Sequence, residues 1–163
     1  MSDQLEQIEE LTQQAVREVF QSMLSMDLAL EPTVSLPPDP EGEIIGSVGF
    51  IGKTSGVIHL KGGLGLARVL TSRMLGITVQ EVDGSEMVND AIGELSNMVG
   101  GFVKSRLCDR GWSCTLTIPS IVRGQQLSIE ASTNTRRRIL GFGSGEHHFL
   151  AELLLKESVS QVA

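Results

Sequence analysis

The chain has 163 residues, a formal net charge of −7 at pH 7, 40% hydrophobic residues and 20% charged residues. This composition is typical of one globular domain, and an acidic chain lacks the basic surface that nucleic-acid binding requires. No apolar run approaches the roughly 20 residues needed to span a membrane, and the acidic N-terminus does not resemble a signal peptide. We therefore expect a single-domain cytoplasmic protein, residues 1–163, that binds neither nucleic acid nor membranes.

The first part of the chain predicts one helix, a connector and a hairpin. Apolar positions recur every three to four residues over 3–29, which predicts a helix. The segment 31–42 contains four prolines and predicts a connector, with a candidate edge strand at Thr33–Leu36. The β-branched runs Glu43–Ile51 and Ser55–Leu60 are separated by a short turn, so they predict a β-hairpin.

A glycine-rich turn follows this hairpin. Residues Gly62 to Gly65 lead into a predicted helix at Leu64–Leu75, with Gly76 as its C-cap. The turn matches neither GxxxxGK[ST] nor GxGxxG, the patterns of phosphate-binding and dinucleotide-binding loops. A tight strand-to-helix turn is the better interpretation, and nucleotide binding is the weakest of the functional hypotheses.

Residues 86–107 predict a long amphipathic helix whose polar face is unusual. Its apolar face carries Val88, Ala91, Ile92, Leu95, Met98, Val99, Phe102 and Val103. The opposite stripe carries Asp90, Glu94, Asn97, Gly101 and Lys104, with Gly93 and Gly100 on or beside it. A glycine inside a helix costs about 0.8–1 kcal/mol relative to alanine, so the small residues need a reason. They allow another surface to approach the helix backbone. That surface belongs either to a binding partner or to a neighbouring helix of the same fold.

The rest of the chain predicts an antiparallel sheet. Short apolar runs alternate with turn residues, which gives five predicted strands at Trp112–Ile118, Ile121–Arg123, Gln126–Ala131, Arg138–Phe142 and His147–Lys156. Together with the helices, these strands predict an α+β fold in which a mostly antiparallel sheet packs against long helices. Cys108 and Cys114 lack further metal ligands nearby and are interpreted as structural.

The spacing D-x-x-x-E-x-x-N of Asp90, Glu94 and Asn97, followed at a distance by Pro119, resembles a known signature. It is similar to that of the CheC/CheX/FliY family of chemotaxis phosphatases. A single copy of the motif is evident, which is closer to CheX than to CheC. The resemblance implies the same α+β fold for the whole domain and a homodimer. Pro119 itself is predicted to end the first strand after the helix.

The resemblance also implies an activity, the hydrolysis of the aspartyl-phosphate of a phosphorylated CheY-like response regulator. Asn97 would position the attacking water, and Glu94 would dock on a lysine of the regulator. Asp90 would orient the helix or its neighbours, and the predicted contacts with the partner are Asp90, Gly93, Gly100, Gly101 and Lys104. The Mg²⁺ would belong to the regulator, so no cofactor or metal is expected on this chain. The alternative is a non-catalytic binding or scaffold module of the same fold.

Overall fold

A seven-stranded antiparallel sheet carries three helices on one face in the computed structural model, which describes residues 3–32 and 36–157. The helices are α1 (Gln4–Leu24), α2 (Leu64–Leu75) and α3 (Gly84–Asp109). The strands are β1 (Ala29–Glu31), β2 (Glu43–Gly52), β3 (Gly56–Gly63), β4 (Cys114–Leu116), β5 (Ser120–Gly124), β6 (Thr135–Ser144) and β7 (His147–Lys156). The strand order is β1-β6-β7-β3-β2-β4, and β5 also pairs with β2. The predicted α+β fold is confirmed.

The core lies between the sheet and the helices. Directly opposite residues on paired strands share a face of the sheet, and the register aligns Val48 with Ile58 and Ile58 with Leu153. These three side chains are almost completely buried. From the helical side, α1 contributes Leu5, Ile8, Val16 and Phe20, and α3 contributes Leu95, Val99, Val103 and Leu107. Within the described residues, no helix combines the length and apolar character needed to cross a membrane.

The second face of the sheet is crossed by the segment that joins β5 to β6. The Leu127 backbone N–H donates to the Glu43 carboxylate at 2.7 Å, and the Lys61 ammonium donates to the Leu127 carbonyl oxygen. The predicted strand at Gln126–Ala131 is therefore wrong. Gln126 has a φ of 52°, and side chains rather than a neighbouring strand satisfy the backbone groups of Leu127.

The first helix is shorter than predicted. It ends at Leu24 because Ser25 adopts a left-handed conformation with φ 52° and its N–H bonds the Gln21 carbonyl oxygen. The predicted extension to residue 29 is wrong, since 29–31 form β1 at the edge of the sheet. The candidate strand Thr33–Leu36 falls mostly outside the described residues, and Leu36 itself is not in a strand.

The middle of the chain follows the local sequence signals closely. The predicted hairpin is β2 and β3, and the predicted second helix is α2, which ends at Gly76 with φ 68°. In the glycine-rich turn, the Gly65 N–H donates to the Asp39 carboxylate at 3.0 Å. A carboxylate at this helix start repels a phosphate and already occupies the donor that would bind one, which disfavours nucleotide binding at the turn.

Candidate functional site

The motif helix α3 lies directly on β2, and small residues on both elements make this possible. A methyl group added at Gly46 would stand 2.3 Å from the Ser96 hydroxyl oxygen, and one added at Gly100 would stand 2.8 Å from a Val48 methyl. The Ser96 hydroxyl donates to the Ile92 carbonyl oxygen at 2.8 Å, so its polar group is satisfied inside the helix. This close packing fixes the rotation of α3 about its axis.

The rotation leaves the polar motif facing outward. Asp90, Glu94 and Asn97 are all exposed, whereas Ile92, Leu95 and Ser96 between them are buried. Among the described residues, none of these three motif side chains forms a hydrogen bond or an ion pair. An acid, a second acid and an amide therefore stand on one helical face with their hydrogen-bonding groups available to another molecule.

A bulge between β4 and β5 stands opposite this face. The register aligns Leu116 with Phe50 and Ser120 with Ser47, so three residues, 117–119, oppose only two residues of β2. Thr117 anchors the bulge because its N–H donates to the Gly49 carbonyl oxygen at 2.8 Å and its hydroxyl accepts from the Gly49 N–H at 2.8 Å. Pro119 lies between the two strands, but β4 already ends at Leu116, so the bulge and not the predicted proline ends this strand.

The motif face and the bulge enclose an open cleft of ≈ 810 Å³. One wall is α3 and the other is the β4–β5 segment, and the lining consists of Asn89, Asp90, Gly93, Glu94, Asn97, Leu116, Thr117, Ile118, Pro119 and Ile121. All four positions of the sequence signature thus meet in one place, although Pro119 is distant from the helix in sequence. The first signature position, Asp90, lines the cleft as the other three do.

The three glycines of the motif helix have different environments. Gly93 is buried beneath the cleft, with Pro119 and Ile121 atoms 4.0 Å from the place a methyl group would take. Gly101 has no atom within 4 Å of that place and lies on the open side. Gly100 faces Val48, so its predicted place on the partner-facing stripe is wrong, and it serves the packing of α3 on its own sheet.

Lys104 is half-buried, lies two turns beyond Asn97 and does not line the cleft. It stands near the end of the helix, close to the two cysteines. Burial raises the pKa of the Cys114 thiol, Cys108 adds to this effect, and the positive charge of Lys104 opposes it. A buried thiol with a raised pKa is unreactive, which agrees with a structural role for Cys114.

Arg123 positions the cleft, and the sequence did not single it out. Its guanidinium donates to the Asn89 side-chain oxygen at 2.7 Å and to the Ser85 carbonyl oxygen at 3.1 Å. These bonds tie β5 to the first turns of α3 and set the distance between the two walls. An arginine inside a short apolar strand was the available signal, but its partner could be found only from the fold.

The groups that line the cleft are suited to positioning another molecule rather than to activating a nucleophile of their own. The cleft offers the carboxylates of Asp90 and Glu94 and the amides of Asn89 and Asn97, of which Asn89 already accepts from Arg123. No serine, cysteine or histidine is among its lining residues, and the Thr117 hydroxyl is bonded to the Gly49 N–H. Two unpaired acids favour a cationic group on whatever enters, and an amide can hold a water molecule or a polar oxygen. The arrangement therefore fits a site that is completed by a second molecule.

The comparisons with known proteins agree with this geometry. The model of the family described as chemotaxis phosphatase CheX matches residues 44–142, which include α3 and both walls of the cleft. CheX from Desulfovibrio desulfuricans is 22% identical with a TM-score of 0.78, covering 92% of this chain and 99% of its own. A CheX–CheY–BeF₃–Mg²⁺ complex from Borrelia burgdorferi gives 18% identity, a TM-score of 0.71 and coverage of 91% and 97%.

Thermotoga maritima FliY is 16% identical, with a TM-score of 0.64 and coverage of 93% of this chain and 87% of its own. No curated protein matches the chain. The family model covers well over half of the sequence and includes the whole motif helix. The chain therefore belongs to the CheX family of chemotaxis phosphatases, within the CheC/CheX/FliY group that the motif resembled.

Proposed function

We propose that this protein hydrolyses the aspartyl-phosphate of a phosphorylated CheY-like response regulator. The observation that carries the proposal is the pair Glu94 and Asn97, exposed one helical turn apart on the wall of an open cleft and free of partners among the described residues. Membership of a family of chemotaxis phosphatases supports the reaction class. The complex of the Borrelia burgdorferi CheX with CheY supports the partner class.

In this reaction the Asn97 carboxamide enters the active site of the regulator and holds a water molecule in line with the phosphorus. The water oxygen attacks phosphorus and the bond from phosphorus to the aspartyl oxygen breaks. Inorganic phosphate, which takes up the oxygen of the water, departs, and the aspartate carboxylate is restored on the regulator. The rate gain comes from positioning, because the transition state of phosphoryl transfer requires little covalent help from the protein. The regulator supplies the Mg²⁺, and this chain needs no cofactor of its own.

Glu94 docks the two proteins in register by pairing with a lysine of the regulator. A charge-assisted hydrogen bond is short and directional, so it fixes where the neighbouring amide enters. Asp90 lies one turn earlier on the same wall and adds negative charge that attracts the same basic site. The open surface at Gly101 leaves space for the regulator beside the helix.

The test is the lifetime of phosphorylated regulators of the host, measured as phosphate release with Mg²⁺ present. The wild-type protein should shorten the lifetime for at least one regulator. Asn97→Ala should lose about 100-fold or more of this acceleration because the water is no longer positioned. Gln14→Ala, which removes an exposed amide on α1 outside the cleft, should retain full activity.

Full activity of Asn97→Ala would contradict the proposed role of this amide. If the protein binds a phosphorylated regulator without shortening its lifetime, it is instead a binding or scaffold module of the same fold. We also propose a homodimer, as the family resemblance implies. Sedimentation at micromolar concentration tests this, and a monomer at every concentration would exclude it.

A further inference from the structure

We propose that Ile118 is an apolar anchor that binds the partner beside the polar motif and provides much of the affinity of the cleft. This inference rests on the proposed function and assigns a second role to the same site. Ile118 is 87% exposed, the most exposed large hydrophobic side chain among the described residues. It lines the cleft together with Asp90, Glu94 and Asn97.

The fold does not need an isoleucine at this position. Among the described residues, Ile118 belongs neither to the buried core nor to the apolar residues packed on it. Scattered exposed apolar residues are ordinary on protein surfaces, but this one stands at the edge of the cleft that carries the polar motif. Its neighbours in the cleft are the residues of this chain that are proposed to contact the regulator.

The backbone holds Ile118 in place before any partner arrives. Thr117 makes two hydrogen bonds to Gly49, one through its N–H and one through its hydroxyl, both at 2.8 Å. Pro119 fixes its own φ on the other side of Ile118. Because this backbone is already held, binding has to order only the Ile118 side chain, and more of its buried area contributes to affinity.

The cleft therefore combines two kinds of contact. The acids select a basic group, whereas Ile118 selects an apolar patch next to it, and an apolar rim keeps water away from the polar contacts. The partner that fits is a response regulator with a lysine at its phosphorylation pocket and an exposed aliphatic or aromatic side chain close to that lysine. Recognition of the apolar side chain distinguishes one regulator from another, since the lysine would be common to them.

Binding is measured without turnover by titrating the host's regulators, loaded with BeF₃⁻ and Mg²⁺, into wild-type protein and variants. Ile118→Ala should raise Kd and KM by about tenfold, as expected for losing most of a buried aliphatic side chain, and leave kcat nearly unchanged. Ile118→Leu, which preserves the apolar volume, should restore most of the affinity. Ile51→Ala is the matched control, because Ile51 is 63% exposed on β2 outside the cleft.

The outcomes separate this inference from the proposed function. Equal Kd for wild type and Ile118→Ala, with phosphatase activity intact, overturns the anchor and leaves the enzyme. If wild-type protein binds the regulator without hydrolysing it and Ile118→Ala no longer binds, the anchor is supported and the proposed phosphatase activity is contradicted. A fall in kcat at constant KM would instead mean that Ile118 acts in the chemical step, which also overturns the proposal.

Discussion

Glu94 and Asn97 are separated by one helical turn, yet they have different chemical tasks. A carboxylate offers charge and accepts hydrogen bonds, whereas a carboxamide both donates and accepts them without charge. The charge attracts the partner from a distance and holds it, and the amide acts only on a water molecule already close to phosphorus. Substitutions at the two positions should therefore change different kinetic constants.

Replacing the Glu94 carboxylate with an amide tests this division. Glu94→Gln keeps the shape of the side chain and removes its charge, so the hydrogen bond to a lysine weakens. A bond to a charged group contributes about 1.5–3 kcal/mol, which corresponds to a rise in KM of about tenfold or more. Steady-state phosphate release should show this rise with a smaller change in kcat, and it should diminish at high salt.

In the motif helix α3, two adjacent glycines have different structural roles. Gly100 lets the helix lie against β2, while Gly101, the next residue, points to open space. The two positions are about 100° apart around the helix, so adjacent residues serve the core and the surface. Their substitution by alanine should therefore have opposite effects on stability.

Gly101→Ala should raise the free energy of unfolding by about 0.8–1 kcal/mol, because alanine is the better helix former and no atom opposes its methyl group. Gly100→Ala should lower it by about 1–3 kcal/mol, since the methyl group would overlap Val48. Urea denaturation measures both. If a regulator docks closely here, the more stable Gly101→Ala should also lose affinity for it, and unchanged affinity would place the docked surface elsewhere.

At the scale of the whole molecule, the sheet holds a polar row on the face opposite the helices. Ser47, His59 and Glu152 are aligned across β2, β3 and β7, and the Ser47 hydroxyl lies 2.6 Å from His59 Nδ1. Arg137 on β6 donates to one oxygen of the buried Glu152 carboxylate at 2.6 Å. Burial lowers the pKa of His59; the charge of Glu152 opposes this shift, and that of Arg137 adds to it.

This lowered pKa makes the stability of the fold depend on pH. Unfolded His59 takes up a proton near pH 6.5, whereas folded His59 does so only at lower pH. The contribution of neutral His59 to the free energy of unfolding is therefore fully present above about pH 6.5, and it is lost as the pH falls through the pKa of His59 in the folded protein. Between about pH 7.5 and about pH 5.5, the free energy of unfolding measured by urea denaturation should fall more for wild type than for His59→Gln. Equal losses would contradict this assignment.

Local sequence patterns were sufficient to predict the elements that depend on near neighbours. The helical period gave the outward stripe of Asp90, Glu94 and Asn97, and glycine with turn residues gave the hairpin and the end of α2. These features follow from backbone geometry and side-chain periodicity within a few residues. The prediction for Gly100 was wrong because its position near the edge of the stripe does not reveal which neighbour it faces.

The way these elements form a site depends on long-range pairing and packing. The cleft exists because β4 and β5 both pair with β2 and leave 117–119 as a bulge facing α3. The bonds of Arg123 to α3 and the path of residues 125–134 across the sheet also join parts distant in sequence. Strand pairing and packing over such distances depend on the complete chain, so no local pattern predicts them, and the exposure of Ile118 follows from them.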